Sequence, residues 1–250
     1  MDWIGVSEAA RVLGVSETRV RKLLRQGALR GRRVSGVWLL DPASVEQRRR
    51  EAPTVGQTVT PAHAWAVLAA ATLLDRQEQS GLSGLLAAVP VAGSARQRLR
   101  ENLSSAPDAD GWSRWLAGRA VRRSYVLDRA GTYRLADDGR VSLGGPRGLA
   151  RAGEMTSPVG DAIDVYVPEG SVDAVVAAHG LSEDAVGNLA LRVVSASVPA
   201  ALAPIPGRPA PAAACLVDLL DRPDTGDADS ATDRLGQILE RVRRLTGRGA

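Results

Sequence analysis

Two short helical patterns, separated by a glycine, occupy the start of the chain. In the first segment, SEAARVLG, the apolar positions that share one helix face are Ala9, Ala10 and Leu13. In the second segment, SETRVRKLLRQG, they are Val20, Leu23 and Leu24. Ser7 and Ser16 are the predicted N-caps, and Gly14 and Gly27 follow the last turns. Two short helices joined by a turn that contains glycine predict a helix-turn-helix.

The pattern then changes to two short strands. The segment LRGRRVSGVWLLD predicts strands at about residues 29–34 and 37–40, joined by a tight turn at Ser35 and Gly36. A further helix is predicted to start at Asp41 and to run through ASVEQRRR, because Pro42 suits a first helical turn. Residues 1–50 are therefore predicted to form a winged helix-turn-helix domain.

Residues 51–60 are predicted to be a linker. The segment EAPTVGQTVTP has no helical period and contains two prolines, as is typical of a connection between domains. From Pro61 the largely apolar segment PAHAWAVLAAATLLDRQ predicts a buried helix. Further helices are expected near residues 95–103 and 112–120, so the middle of the chain is predicted to be helical.

Strand patterns return after residue 120. SYVLD predicts a strand, and TYRLADDGRVSL predicts a β-hairpin with its turn at Asp138 and Gly139. AIDVYVP and NLALRVVS predict two further strands with the helix GSVDAVVAAHGL between them. PIPGRPAP predicts an extended connector before two final helices. The predicted class is α+β, with the winged helix-turn-helix, a helical middle segment and an α/β C-terminal domain within residues 61–250.

Positive charge is concentrated in the predicted helix-turn-helix. Residues 1–50 carry eleven Lys or Arg against five Asp or Glu, a balance of +6. The whole chain has a net charge of +4, so the other two hundred residues sum to −2. This asymmetry indicates a polyanionic partner, most simply double-stranded DNA, and the chain's own promoter is the expected target.

The second predicted helix keeps a polar, basic face once its apolar residues turn inward. The candidate DNA-binding residues are Ser16, Thr18, Arg19, Arg21, Lys22 and Arg25 of this helix and Arg30, Arg32 and Arg33 of the hairpin. In a DNA groove, arginine can form a bidentate pair with guanine, while flanking cations hold phosphates. The alternative is a merely solvated basic face in a chain with high arginine usage.

Residues 6–49, VSEAARVLGVSETRVRKLLRQGALRGRRVSGVWLLDPASVEQRR, resemble the winged helix-turn-helix of the excisionase and MerR-like superfamily. The resemblance lies in the entry EAARVLGVS and in the exit, which follows the pattern L-R-Q-G-x-L. It implies DNA binding. The segment RVSG, at residues 33–36, departs from the shorter RVGG turn that relatives often have.

The C-terminal part resembles the C-terminal domain of AbiEi-type antitoxins of actinobacteria, both in the sequences of three segments and in the order in which they follow one another. The segments that carry this similarity are IDVYVPEGSVDAVVAAHGL, GNLALRVVS and AACLVDLLDRPDTGDADSATDRLGQIL. The resemblance implies an antitoxin that autorepresses a toxin-antitoxin operon and counteracts a nucleotidyltransferase toxin without a tight complex. An excisionase-like protein or a ligand-responsive regulator, each without a toxin partner, is the alternative.

Residue types that carry catalysis are sparse. Asp108 and Asp110 imitate the paired aspartates of nucleotidyltransferases, but SSAPDADGW predicts a loop rather than the rigid strand that such a site needs. Lys22 is the only lysine, so the chain contains no P-loop of the G-x-x-x-x-G-K-[ST] type. We therefore expect no enzyme activity and no cofactor.

The remaining candidates are expected to be structural. His63, His179 and Cys215 are isolated, which predicts no metal site and a core position for the cysteine. Gly144 and Gly145 could cradle an anion, but no capped helix is predicted after them, so a turn is favoured. No apolar run is long enough to span a membrane, and a cytoplasmic protein of open oligomeric state is expected.

Overall fold

The computed structural model describes residues 3–13, 17–25, 29–34, 36–51, 59–76, 82–155, 161–221 and 227–246. The N-terminal elements are β1 (Ile4–Gly5), α1 (Val6–Leu13), α2 (Glu17–Arg25), β2 (Gly31–Val34), β3 (Val37–Leu40) and α3 (Pro42–Glu51). The predicted helix pair, hairpin and third helix are confirmed, and β1 is an addition. Helix α1 begins before Ser7, so the N-cap prediction for Ser7 is wrong, while Gly14, Ser16 and Gly27 lie outside the described residues.

The N-terminal strands form a three-stranded antiparallel sheet in the order β1-β3-β2. In the β2–β3 hairpin Arg32 is paired with Leu39 and Arg33 with Trp38. Because side chains alternate along a strand, these two arginines point to opposite faces of the hairpin. The buried core that joins the helices to the sheet consists of Val6, Ala9, Ala10, Val20, Leu23, Leu24, Leu29, Leu40 and Val45.

The middle of the chain is helical, as predicted. Its helices are α4 (Pro61–Arg76), α5 (Leu82–Ala88), α6 (Gly93–Ser104) and α7 (Trp112–Trp115), with 3₁₀ turns at Ala109–Gly111 and Ala117–Arg119. The helix expected over residues 112–120 is therefore only one turn long before the 3₁₀ turn. Asp108 precedes a 3₁₀ turn rather than lying on a strand, which agrees with the predicted loop. The linker boundaries stay a prediction, because residues 52–58 lie outside the described part.

The C-terminal region combines a sheet with further helices. Its elements are β4 (Val121–Val126), α8 (Arg129–Ala136), β5 (Ser142–Leu143), α9 (Gly145–Arg151), β6 (Ile163–Pro168), α10 (Val172–His179), β7 (Ser182–Glu183), β8 (Leu189–Val194), α11 (Ala212–Leu220) and α12 (Asp227–Thr246). The sheet order is β5-β6-β8-β4-β7, in which β6 and β8 are parallel and the other pairs antiparallel. The predicted α+β class is confirmed.

Two local predictions in this region are wrong. The segment predicted as the first strand of a hairpin is helix α8, because Asp128 caps its first turn by accepting a hydrogen bond from the Gly131 amide. Thr132 and Leu135, three residues apart, then face the core. Helix α9 follows Gly144 directly, although no helix was predicted there.

The two faces of the C-terminal sheet differ in polarity. One face, which includes Val165 and Leu191, packs against apolar residues of α8 and α10. The other face carries Asp164, Tyr166 and Arg192 and lies on the side of α4 and α11. The tryptophans Trp65 and Trp112 are buried with the middle helices, as expected, and so is Cys215. No helix in the described ranges is long and apolar enough to cross a bilayer.

Candidate nucleic-acid interface

Helix α2 separates an apolar face from a polar face. Val20, Leu23 and Leu24 are buried against α1 and the small sheet, as predicted. Thr18, Arg21 and Lys22 are exposed on the other side. Arg19 and Arg25 are on the same helix, but their side chains are outside the described part, as is the whole of Ser16. The described polar residues thus form a solvent-facing surface with two cations and a hydroxyl group.

An acidic residue lies at the N-terminal end of this basic surface. Glu17 begins α2, and its Oε2 atom accepts a hydrogen bond from Nη2 of Arg21 at 2.7 Å. Its other oxygen, Oε1, accepts a hydrogen bond from the Ser7 hydroxyl of α1 at 2.6 Å. The hydrogen bond from Ser7 and then that from Arg21 lower the pKa of Glu17, so its carboxylate is ionised at neutral pH.

The hairpin presents arginine on both of its faces. The guanidinium carbon of Arg32 lies 4.6 Å from the ring centre of Trp3, which gives a cation–π contact. Arg33 donates from Nε to the carbonyl oxygen of Gly36 at 3.2 Å across the turn. Both arginines remain exposed, so each can present its remaining N–H groups to a partner.

Arg30 has a different environment from the other candidates. Its guanidinium lies 2.7 Å from Asp41, and its backbone amide donates to the Ser44 hydroxyl at 3.0 Å. The carbonyl of Arg30 also accepts from the Asp41 amide at 3.0 Å. These contacts connect the base of the hairpin to α3 and engage part of the Arg30 guanidinium. The contact of Arg30 with DNA stays a prediction.

Sequence reasoning missed Glu17, Ser7 and Trp3. The four-residue spacing of Glu17 and Arg21 is a known signal for an ion pair on a helix and could have identified Glu17. The other two contacts join separate elements, Ser7 to α2 and Trp3 to β2. Such contacts have no local pattern, because they depend on how the elements pack.

A second group of charged residues, in the C-terminal region, was also missed. Arg119 and Arg192 are only 2% and 4% exposed, and both contact the carboxylates of Asp218 and Asp221. Asp221 lies 2.6 Å from Arg119 and 2.7 Å from Arg192. Asp164 lies 3.3 Å from Arg192. We call these five residues the buried charge network.

The donors around the buried charge network come from the protein itself. Asp218 accepts hydrogen bonds from the Tyr166 hydroxyl at 2.6 Å and from the Gly145 amide at 3.1 Å. The glycine loop that could have cradled an anion therefore faces an internal carboxylate. Burial alone would raise the pKa of Asp221, but Arg119 and Arg192 outweigh it and hold that pKa well below its usual value. This chemistry is that of a structural network.

The fold and the exposed basic surface define the N-terminal domain as a helix-turn-helix of the DNA-binding, regulatory kind. Comparison with protein families agrees, because residues 3–52 match the family model described as a helix-turn-helix domain. The match covers about a fifth of the chain and makes double-stranded DNA the supported partner. Neither the curated proteins nor the solved structures gave a match.

Proposed function

We propose that this protein is a sequence-specific transcriptional regulator that binds double-stranded DNA, rather than an enzyme. The observation that carries the proposal is the exposed surface of α2, with Thr18, Arg21 and Lys22, in the same domain as the exposed hairpin arginines Arg32 and Arg33. Long donors on the second helix of a helix-turn-helix, together with cations on an adjacent hairpin, are what groove recognition requires.

The residues have distinct proposed roles. Arg21 contacts a base edge, for which guanine is the best bidentate acceptor, and Lys22 neutralises a phosphate as a point charge. Arg32 and Arg33 hold the DNA backbone from the two faces of the hairpin. Thr18, Arg19, Arg25 and the predicted cap Ser16 complete the surface on the recognition helix.

We further propose that the regulator is an antitoxin that represses its own operon and counteracts a nucleotidyltransferase toxin without a tight complex. The support is the similarity of the C-terminal segments to AbiEi-type antitoxins, in which a winged helix-turn-helix precedes an α/β domain. The strand, helix and strand that carry the similarity correspond to β6, α10 and β8, and β6 and β8 are neighbours in the sheet. DNA binding does not depend on this finer proposal.

The first experiment is a binding titration of the full chain with a duplex from its own promoter and with a scrambled duplex of equal length, over a range of salt concentrations. We expect the promoter to be preferred and log K to fall linearly with log salt. Arg21→Ala should reduce the preference, whereas Arg11→Ala, on the exposed side of α1, should not. Equal binding of both duplexes by the parent chain would contradict sequence-specific regulation.

The antitoxin proposal needs a separate experiment in cells. The chain would be expressed together with the gene that neighbours it, and growth would be compared with and without the chain. Rescue of growth by the parent and by a variant that no longer binds DNA would support an antitoxin whose two activities are separate. Absence of toxicity from the neighbouring gene would contradict this finer proposal and leave DNA binding untouched.

A further inference from the structure

We propose that Glu17 is a positioning residue for base recognition, because its carboxylate, anchored by Ser7, fixes the guanidinium of Arg21 on the DNA-facing side of α2. The inference rests on the proposed DNA-binding function and adds residues that determine its specificity. It also explains why a carboxylate lies on a helix surface whose cations would otherwise only attract phosphate.

The two oxygens of Glu17 have separate tasks in this arrangement. Oε1 is held by the Ser7 hydroxyl of α1 at 2.6 Å, and Oε2 accepts from Nη2 of Arg21 at 2.7 Å. The carboxylate therefore links two helices to the arginine. The Arg21 side chain is still 51% exposed, so the guanidinium keeps N–H groups that can face a base.

Such anchoring matters because arginine has many rotamers. A bidentate contact with guanine needs two N–H groups in one plane at one position in the groove. An unrestrained arginine must lose its rotamer freedom when it binds, whereas a side chain that is already held in place loses less. The arrangement therefore improves discrimination between base pairs without adding a contact to DNA.

A second acidic residue of the domain provides a contrast. Glu8 and Arg11 on α1 also form an ion pair, but their closest atoms are 3.7 Å apart and the side chains are 51% and 79% exposed. Among the described residues, no third side chain is seen to anchor that pair. Glu8 therefore serves as a matched control for removing one acid from the same domain.

The positioning role and a simple electrostatic role predict different results for Glu17→Gln. If Glu17 only repels phosphates, its removal strengthens binding to every duplex by a similar factor. If it positions Arg21, the affinity for unrelated DNA rises or stays constant while the discrimination at one base pair falls, by about fivefold to tenfold. The first outcome leaves specificity unchanged, whereas the second lowers it.

The experiment uses the full chain and randomised double-stranded DNA. The preferred duplex is selected first, and affinities are then measured for that duplex and for its single-base-pair variants. The protein variants are Glu17→Gln, Ser7→Ala, Arg21→Ala, the double variant of Glu17→Gln with Arg21→Ala, and the control Glu8→Gln. Circular dichroism and thermal unfolding establish that each variant is folded.

We expect Glu17→Gln and Ser7→Ala to weaken discrimination at the same base pair as Arg21→Ala. In the absence of Arg21, Glu17→Gln should change nothing at that base pair, because the two residues act in series. An equal effect of Glu17→Gln with and without Arg21, or a uniform gain of affinity, would overturn the positioning role. Failure of the parent chain to select any duplex would instead overturn the proposed function.

Discussion

The arginines of the helix-turn-helix and those of the buried charge network differ in their surroundings. Arg21 is 51% exposed and has one carboxylate partner among the described residues. Arg192 is 4% exposed and lies within 3.3 Å of three carboxylates. In water an ion pair contributes little to stability, whereas a buried charge that loses its partners is strongly destabilising.

The comparison shows that residue type alone does not assign a role. Arg119 and Arg192 form ion pairs inside the protein, with aspartates that come from the sheet and from the α11 region. Arg21 of α2 and Arg32 and Arg33 of the hairpin keep N–H groups at the surface, where a partner can use them. Burial therefore separates the structural charges from those available for recognition.

The largest expected effect is that of breaking the buried charge network. Arg192→Met leaves three carboxylates close together with too little positive charge, so the free energy of unfolding should fall by about 3–5 kcal/mol. Arg123→Met, on the neighbouring strand β4 but exposed, is the control and should change it by less than about 0.5 kcal/mol. Urea denaturation of both variants measures the difference, and similar midpoints would contradict the structural role of the network.

A smaller loss of stability is expected where the hairpin packs on α2. A Cβ atom at Gly31 would lie 2.7 Å from Cδ2 of Leu24 and 2.9 Å from the carbonyl oxygen of Leu39. Gly31→Ala should therefore destabilise the N-terminal domain by about 1–3 kcal/mol. Gly5→Ala is the control, because it lies in the same sheet and its added Cβ atom would meet no atom within 4 Å. Equal thermal unfolding temperatures of the two variants would show that the hairpin accommodates the added methyl group without loss of stability.

Acid should act mainly through carboxylates that are held by cations. Asp138 accepts hydrogen bonds from Arg140 and, at 2.7 Å, from His179. The hydrogen bond from Arg140 is the main reason that the pKa of Asp138 lies well below its usual value, although burial alone would raise that pKa. Ionised Asp138 therefore adds stability above the unfolded-state pKa of about 3.9, and this is lost as the pH falls toward the folded-state pKa. Asp138→Asn should lower stability at neutral pH and flatten its fall below about pH 4.

Urea midpoints over this pH range measure the effect. If the midpoint of Asp138→Asn falls with pH as steeply as that of the parent, groups other than Asp138 cause the acid sensitivity. Asp218 cannot serve as a substitute in this test. Burial raises its pKa, so its protonation has the opposite effect on folding.

The smallest effect on stability is expected at the exposed surface of α2. Lys22→Ala should change the free energy of unfolding by less than about 0.5 kcal/mol, because the side chain is solvated. It should weaken binding to all duplexes alike and reduce the slope of log K against log salt by about 0.9, as expected for one lost phosphate contact. A loss of affinity confined to one sequence would show that Lys22 contacts a base.

Local patterns were enough to predict the N-terminal domain. The spacing of Val20, Leu23 and Leu24 determines which side of α2 is buried, and hence that Thr18 and Lys22 are exposed. The same reasoning failed at residues 129–136, where a capped helix took the place of a predicted hairpin strand. A short segment with mixed polarity fits both the period of a helix and that of a strand, and the N-cap at Asp128 favours the helix.

The sequence by itself determined the helix-turn-helix, its basic face and the β6, α10 and β8 segments of the C-terminal region, because these depend on residues a few positions apart. Only the tertiary structure decided which charges are partners. Arg119 meets Asp221 across 102 positions of the chain, and Ser7 meets Glu17 across ten. Contacts between distant positions leave no periodic signal, since they arise only when the packing of separate elements brings polar groups together. For Arg119 and Asp221, burial adds a strong penalty for any charge that is left without a partner.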